Sequence, residues 1–162
     1  MKKLLQLLIL ISTITVFTSC KKDSKTTPAT HPNYNNFKIT SIKITSIPFL
    51  NAYNSSWDLT NGPDVYFNIA DVNSNILLNG SSNHFSDISA STLPLNWNLV
   101  APFRIINLSN TYYITIYDYD SPDPDELMEY ADFKMSDYSG SYPTTINISS
   151  NELTISIIGD WY

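Results

Sequence analysis

The chain has 162 residues, and its nine basic and fifteen acidic side chains give a formal net charge of −6 at neutral pH. Residues 37–162 are more acidic than this total suggests, because fourteen carboxylates face only four cations there and the net charge is −10. These 126 residues suffice for one domain with its own core. Such an acidic domain, without a basic patch, excludes nucleic acid and bare anionic lipid as expected partners.

The N-terminal segment has the pattern of a secretory signal. Lys2 and Lys3 precede a fourteen-residue apolar run, Leu4 to Phe17, which is too short to cross a bilayer. The run ends in Thr18-Ser19-Cys20, and small residues before a cysteine resemble the lipobox of bacterial lipoproteins. This resemblance implies cleavage before Cys20 and acylation of its thiol, as with palmitate, which anchors the chain to a membrane. The alternative is a plain signal peptide with an incidental cysteine.

A polar stretch without a core-forming pattern follows and predicts a flexible tether up to Asn36. Its start, Lys21-Lys22-Asp23, resembles the surface-export signal of Bacteroidota lipoproteins, and the alternative is a generic linker. Cys20 is the only cysteine, so an intramolecular disulfide is excluded. We therefore predict a surface-exposed outer-membrane lipoprotein of the bacterial cell envelope, with a signal peptide over 1–19, lipidated Cys20 and tether over 20–36, and a domain over 37–162.

The composition of the folded part favours strands over helices. It is rich in Ile, Thr, Tyr, Ser and Asn and poor in Ala, Glu and Lys, and no segment has a convincing helical period. The short β-like runs predict an antiparallel sandwich with strands near 37–48, 64–70, 75–79, 96–100, 103–107, 111–119, 131–135, 144–149 and 152–159.

The predicted strand over 111–119 connects the core to an acidic segment. Successive side chains of a strand point to opposite faces, so Ile114 and Ile116 share a face with Asp118 and Asp120. The other face holds Tyr113, Thr115, Tyr117 and Tyr119. Residues two apart on a strand are separated by about 7 Å. The two carboxylates can therefore flank one ion or bridge two, at ligand distances of about 2.3–2.6 Å.

The acidic segment places five carboxylates within nine residues: Asp118, Asp120, Asp123, Asp125 and Glu126. Carboxylates this close repel one another unless they are protonated, splay into water or bind a cation. A ligand set made only of oxygen atoms indicates a hard ion, calcium before magnesium. The alternative is an acidic, proline-containing turn in solvent, because Asp and Pro are common turn residues.

A second acidic pair precedes this segment by about fifty residues. Asp58 is followed six residues later by Asp64, within Gly62-Pro63-Asp64-Val65-Tyr66 at the start of a predicted strand. An Asp pair at this spacing, followed by an aromatic-Asp-aromatic-Asp segment, resembles the C2 domain, the calcium-dependent phospholipid-binding sandwich of synaptotagmins and protein kinase C. Leu93-Pro94-Leu95-Asn96-Trp97 also resembles a family strand with an Asn-Pro-x-aromatic pattern.

The resemblance implies an all-β, antiparallel eight-stranded C2-like sandwich of permuted (type II) topology, with its acidic loops at one end. It implies calcium ligands among Asp58, Asp64, Asp118, Asp120, Asp123, Asp125 and Glu126, with Asp125 an alternative to Glu126. The chain lacks the family's basic strand, and the loop tips lack basic and bulky apolar residues. The resemblance therefore carries over calcium binding and leaves lipid binding open.

The expected function is a monomeric, non-enzymatic calcium module whose ion serves structure or docks a lipid, glycan or protein ligand. A metal-free adhesive or structural sandwich of Ig-like type is the alternative, and a surface hydrolase is a third. We expect Trp57 to pack under its loop rather than to serve as a sugar platform, because large aromatics usually serve burial. His84 is expected to face solvent in an Asn/Ser-rich loop.

Overall fold

A computed structural model describes residues 33–59 and 61–162. The predicted signal peptide, Cys20 and the tether up to residue 32 lie outside the described residues. The compact unit begins at Asn33. Tyr34 and Asn36, which precede the first strand, contact the folded domain. The ring of Tyr34 packs edge-on against Tyr142, and the backbone of Asn36 pairs with Tyr162.

The described part contains eight strands and two short 3₁₀ helices, Ser81–Asn83 and Met135–Tyr138. The strands are β1 Phe37–Ser46, β2 Val65–Asp71, β3 Ile76–Asn79, β4 Leu95–Ile105, β5 Tyr112–Asp118, β6 Glu126–Phe133, β7 Thr145–Ser150 and β8 Leu153–Trp161. Among the described residues, no helix has the length and apolar character needed to cross a membrane.

The strands form two four-stranded sheets, in the orders β4-β1-β8-β7 and β3-β2-β5-β6, and all neighbours are antiparallel. Side chains alternate between buried and accessible along β5 and β8, as expected for strands with one face against a core. The inner faces enclose large apolar side chains that include Phe37, Phe67, Ile114 and Ile155. The prediction of an antiparallel eight-stranded sandwich is confirmed.

The topology places both acidic segments in loops between consecutive strands. We call residues 47–64 between β1 and β2 the first loop, residues 80–94 between β3 and β4 the second loop, and residues 119–125 between β5 and β6 the third loop. The C-terminal strand β8 lies between β1 and β7, as expected for the permuted topology.

The predicted strands 96–100 and 103–107 are one strand, β4, so this part of the prediction was wrong. The pairing with β1 jumps from Ile39–Phe103 to Ser41–Asn98, and the four residues between these β4 positions form a bulge. Val100 in the bulge is fully exposed. A bulge interrupts the two-residue alternation of side chains, which is why the sequence pattern suggested two strands.

The strand predicted over 131–135 begins earlier, at Glu126, and the third loop is correspondingly shorter than expected. Glu126 pairs with Asp118 and Leu127 with Tyr117, but the next pair joins Ile116 to Glu129. Met128 is therefore an extra residue in this strand. The bulge and the exposed start of β6 hide the strand pattern in the sequence.

The first and second loops pack backbone against backbone. The Ile88 amide donates to the Pro63 carbonyl at 2.9 Å, and Val65 and Phe85 exchange two backbone hydrogen bonds of 2.7 and 2.9 Å. A Cβ atom at Gly62 would overlap the carbonyl oxygen of Ile88. A glycine is thus required where the chain turns into Asp64, because any side chain would separate the two loops.

We expect Gly62→Ala to lower the free energy of unfolding by about 1–3 kcal/mol, because the added methyl group forces the two backbones apart. The matched control is Gly140→Ala, since a Cβ atom there has no neighbour within 4 Å. Urea denaturation of the full-length chain in detergent measures both. Equal midpoints for the two variants would contradict the close approach of the loops.

Candidate metal centre

Asp118 is the last residue of β5 and lies on the inner face of its sheet, with no exposed surface. Its Oδ1 accepts a 2.6 Å hydrogen bond from the Asp64 backbone amide. Its Oδ2 is buried and has no hydrogen-bond partner among the described residues. Burial raises the pKa of Asp118 to about 6, and the neighbouring carboxylates add to this shift while the Asp64 amide opposes it.

Asp58 and Asp120 join Asp118 in a cluster that we call the carboxylate trio. Each member offers one oxygen, and these three oxygens lie within 4.8 Å of one another. Two oxygens bound to one calcium ion at about 2.4 Å are separated by no more than twice that distance, so the trio is close enough to share an ion. Burial, followed by neighbouring carboxylates, also raises the pKa of Asp58 and of Asp120.

Asp64 joins the three loops at the edge of the trio. Its backbone carbonyl accepts a 2.7 Å hydrogen bond from the Tyr119 amide of the third loop. Its Oδ1 accepts a 2.8 Å bond from the backbone amide of Asp87 in the second loop. The charge of Asp64 raises the pKa of both Asp58 and Asp118. Asp64 is therefore both a neighbour of the trio and the residue that fixes the loops.

Asp87 is a site residue that the sequence analysis missed. It is exposed and has a positive φ of 56°, a conformation that Asp tolerates better than most residues. Its charge raises the pKa of Asp58, and Asn61 donates a side-chain hydrogen bond to its Oδ1. The signal in the sequence was its position: in the predicted sandwich, the turn between the third and fourth strands lies at the same end as the acidic loops.

The remaining predicted ligands lie around the trio. Asp123 and Glu126 are exposed and, with Asp58 and Asp120, line a pocket of about 530 Å³, which we call the acidic pocket. None of the described residues that line it is basic. Asp123 and Glu126 both contribute to the raised pKa of Asp120. The structure thus brings them to the mouth of the site.

Asp125 braces the third loop. Its Oδ2 accepts a 2.7 Å hydrogen bond from the Tyr66 hydroxyl, and its Oδ1 accepts a 3.2 Å bond from the Asp120 amide. Burial and the bond to Asp125 raise the pKa of Tyr66. Both carboxylate oxygens of Asp125 have partners, and the residue holds the backbone of Asp120 in place.

The structure also places the aromatic side chains of Trp57 and His84. The half-buried indole of Trp57 packs against the core and donates a 2.8 Å hydrogen bond to the Pro48 carbonyl, in agreement with the packing interpretation. His84 is half-buried and stacks on Tyr119, with ring centroids 4.5 Å apart and planes inclined by 13°. His84 lies in a loop as expected, but its ring is only partly exposed because Tyr119 of the third loop covers one face.

The donor set fits a hard divalent cation. The trio supplies only carboxylate oxygens, the preferred ligands of calcium. The buried Asp118 oxygen lacks a partner among the described residues, and such a group is costly unless something binds it. A cation at the trio satisfies this oxygen and relieves the repulsion that raises the three pKa values.

Comparisons with known proteins found similarity at the level of fold. No family model and no curated protein matches the chain. A structure of human GIVD cytosolic phospholipase A2, in complex with methyl gamma-linolenyl fluorophosphonate inhibitor and terbium chloride, matches with a TM-score of 0.50 and 16% sequence identity. The match covers 80% of this chain but only 18% of the phospholipase. Another structure of that enzyme matches with a TM-score of 0.46 and 16% identity, over 81% of this chain and 17% of the enzyme.

The phospholipase contains a C2 domain, and the two four-stranded antiparallel sheets agree with that architecture. The domain is a C2-like β-sandwich. The fold and the location of its acidic loops therefore agree with the sequence resemblance. The chain spans about a fifth of the length of the phospholipase that it matches.

In EDTA, we expect acidification from pH 7.5 to pH 4.5 to raise the melting temperature of the full-length chain by a few degrees. The pKa of Asp118 is about 6 in the folded chain, against an ordinary value of 3.8, so folding is favoured once the carboxyl is protonated. The gain appears as the pH falls through about 6 and is complete near the unfolded value. Asp71, whose pKa is lowered, has its opposite effect only below 3.8.

Differential scanning fluorimetry measures this profile. Asp118→Asn is the control and should reduce the rise in melting temperature, because Asp118 no longer titrates while Asp58 and Asp120 still do. A melting temperature of the unsubstituted protein that falls steadily between pH 7.5 and pH 4.5 would contradict the raised pKa.

Proposed function

We propose that this protein is a calcium-binding, non-enzymatic C2-like module, held at the bacterial outer membrane by a lipid on Cys20. The observation that carries the calcium proposal is the buried Asp118, which lies between two other carboxylates and has an oxygen without a partner among the described residues. A site that is strained without a cation and satisfied with one is suited to calcium-dependent ordering of its loops.

The residues of the trio come from two loops and the end of a strand. Asp58 belongs to the first loop, Asp118 ends β5, and Asp120 is the second residue of the third loop. A calcium ion supplies positive charge between them when it is bound. Asp64 and Asp125 hold the backbones of these loops in place through hydrogen bonds that do not involve the trio's free oxygens. Affinity is expected to be weak, because extracellular calcium modules work at about 0.1–1 mM.

The mouth of the acidic pocket supports a docking role for the ion. Asp123 and Glu126 border it, and Leu59 on its rim is fully exposed. A partner that offers a phosphate, carboxylate or hydroxyl oxygen can complete the coordination, and a lipid would in addition bury the exposed Leu59.

We expect Asp118→Asn with Asp120→Asn to abolish calcium binding and to leave the chain without calcium at least as stable as the unsubstituted protein. The loss follows from removing two of three anionic ligands, and the stability from removing buried charge. Thermal unfolding in EDTA and across a calcium series measures both, with magnesium as the comparison ion. Saturating calcium, at about 100 times its dissociation constant, stabilises a folded chain by about 2.7 kcal/mol.

The matched control is Asp132→Asn with Asp160→Asn, which makes the same change in net charge at two exposed positions outside the acidic pocket. Terbium luminescence gives an independent measurement, because Trp57 lines the pocket and can sensitise a bound lanthanide. Calcium stabilisation that survives in the Asp118/Asp120 variant would refute this site. Indifference of the unsubstituted protein to EDTA and calcium alike would favour the metal-free adhesive sandwich.

The anchor is tested separately. We expect cells to incorporate labelled palmitate into the unsubstituted protein and not into Cys20→Ser, because the thiol is the acylated atom. An equally labelled variant would show that the lipid is attached elsewhere and that the lipobox resemblance is misleading.

A further inference from the structure

The outer face of the second sheet contains a groove that lies apart from the metal centre. The groove has a volume of about 440 Å³ and crosses the strands β3, β2, β5 and β6. Its floor is made of small side chains, since Asn68 pairs with Thr115 across β2 and β5, and Ala70 follows on β2. Larger side chains on both sides raise its walls. The depression therefore results from the sequence of the strands themselves.

The floor contains a polar group that lacks a partner. Asn68 is 6% exposed, and its Oδ1 is buried without a hydrogen-bond partner among the described residues. A buried acceptor without a donor destabilises a protein by about 1–3 kcal/mol. Thr115 is the register partner of Asn68, and Tyr130 follows on β6. The floor is thus suited to a ligand that supplies hydrogen-bond donors.

The walls are aromatic and apolar. The rings of Tyr113 and Tyr130 lie 6.3 Å apart in an edge-to-face arrangement, and Tyr130 is half exposed. Tyr117 is on the same face of β5 as Tyr113, about 13 Å further along the strand. Ile76 and Leu127, both more than half exposed, add apolar surface. Rings spaced along the groove can hold an extended ligand that has apolar faces.

The charge of the groove excludes anionic occupants. None of the described residues that line it is basic, and the surrounding domain has a net charge of −10. Asp71 is its one carboxylate, and both its oxygens already accept hydrogen bonds from Asn73 and Asn75 in the turn after β2. A purely apolar chain would leave the amide of Asn68 without a donor. An uncharged, amphipathic occupant rich in hydroxyl groups matches both the aromatic walls and the polar floor.

From these observations we infer that the groove binds a neutral oligosaccharide. The apolar C–H face of a sugar ring stacks on the exposed Tyr130, and a rotation of the Asn68 side chain brings its buried Oδ1 to a sugar hydroxyl that donates to it. The site is separate from the metal centre, because Tyr117 and Asp118 are consecutive residues on opposite faces of β5. Sugar binding therefore needs no calcium and stands whether or not the proposed function is correct.

Isothermal titration calorimetry of the full-length chain in EDTA tests this inference. The detergent must be sugar-free, such as lauryldimethylamine oxide, and the probes are neutral hexasaccharides of β-1,4-linked glucose, mannose and xylose and of α-1,4-linked glucose. We expect saturable binding of at least one of them. Tyr130→Ala should weaken it at least about tenfold, because the side chain is an exposed aromatic anchor. Tyr162→Ala, 49% exposed on the other sheet's terminal segment, should not change it.

Asn68→Leu separates recognition from folding. It removes the buried acceptor and introduces an apolar side chain of similar size, so binding should weaken and the melting temperature should not fall. Several results would overturn the inference: no binding by any neutral hexasaccharide, equal binding of a polygalacturonate hexamer, or loss of binding in Tyr162→Ala to the same degree as in Tyr130→Ala. Binding of an extended apolar peptide instead of the sugars would identify a peptide groove and refute it as well.

Discussion

The hydrogen bond between the Asp64 amide and the Asp118 carboxylate connects the fold to its functional end. It joins the start of β2 to the end of β5 at 2.6 Å, and Asp118 is completely buried at that point. The sandwich core therefore ends in a carboxylate rather than in an apolar side chain. The loops around it are fixed by further backbone bonds from Tyr119 and Asp87 to Asp64. Any change that separates these loops also disperses the trio.

Some of this arrangement could be predicted from the sequence. The two-residue alternation along β5 correctly placed Ile114 and Ile116 on the inner face with Asp118, because alternation is a local property of the strand. The early start of β6 was missed, because a bulge at Met128 breaks the same alternation. Asp87 and the bond from Tyr66 to Asp125 depend on contacts between distant segments, and no local pattern encodes them.

The two faces of β5 divide the chemistry of the domain. The inner face is apolar until it reaches Asp118, while the outer face holds Tyr113, Thr115 and Tyr117. A change of hydrophobicity along one face of the strand thus gives a core that ends in the carboxylate trio, and the opposite face forms part of the groove. The same alternation that builds the sandwich keeps the two sites from sharing side chains. The two proposed sites can therefore be occupied independently.

The acidic cluster destabilises the folded chain when its carboxylates are ionised, and the same repulsion makes the cluster respond to a cation. Burial and mutual repulsion raise the pKa of all three trio members, so the fold is under electrostatic strain whenever they are ionised together. Had each carboxylate been paired with a lysine or arginine, the loops would be equally ordered with and without a cation. Because none of the described residues lining the acidic pocket is basic, a bound cation changes the stability of these loops more than that of the core. A bound ion is therefore expected to order the acidic loops and to leave the structure of the two sheets unchanged.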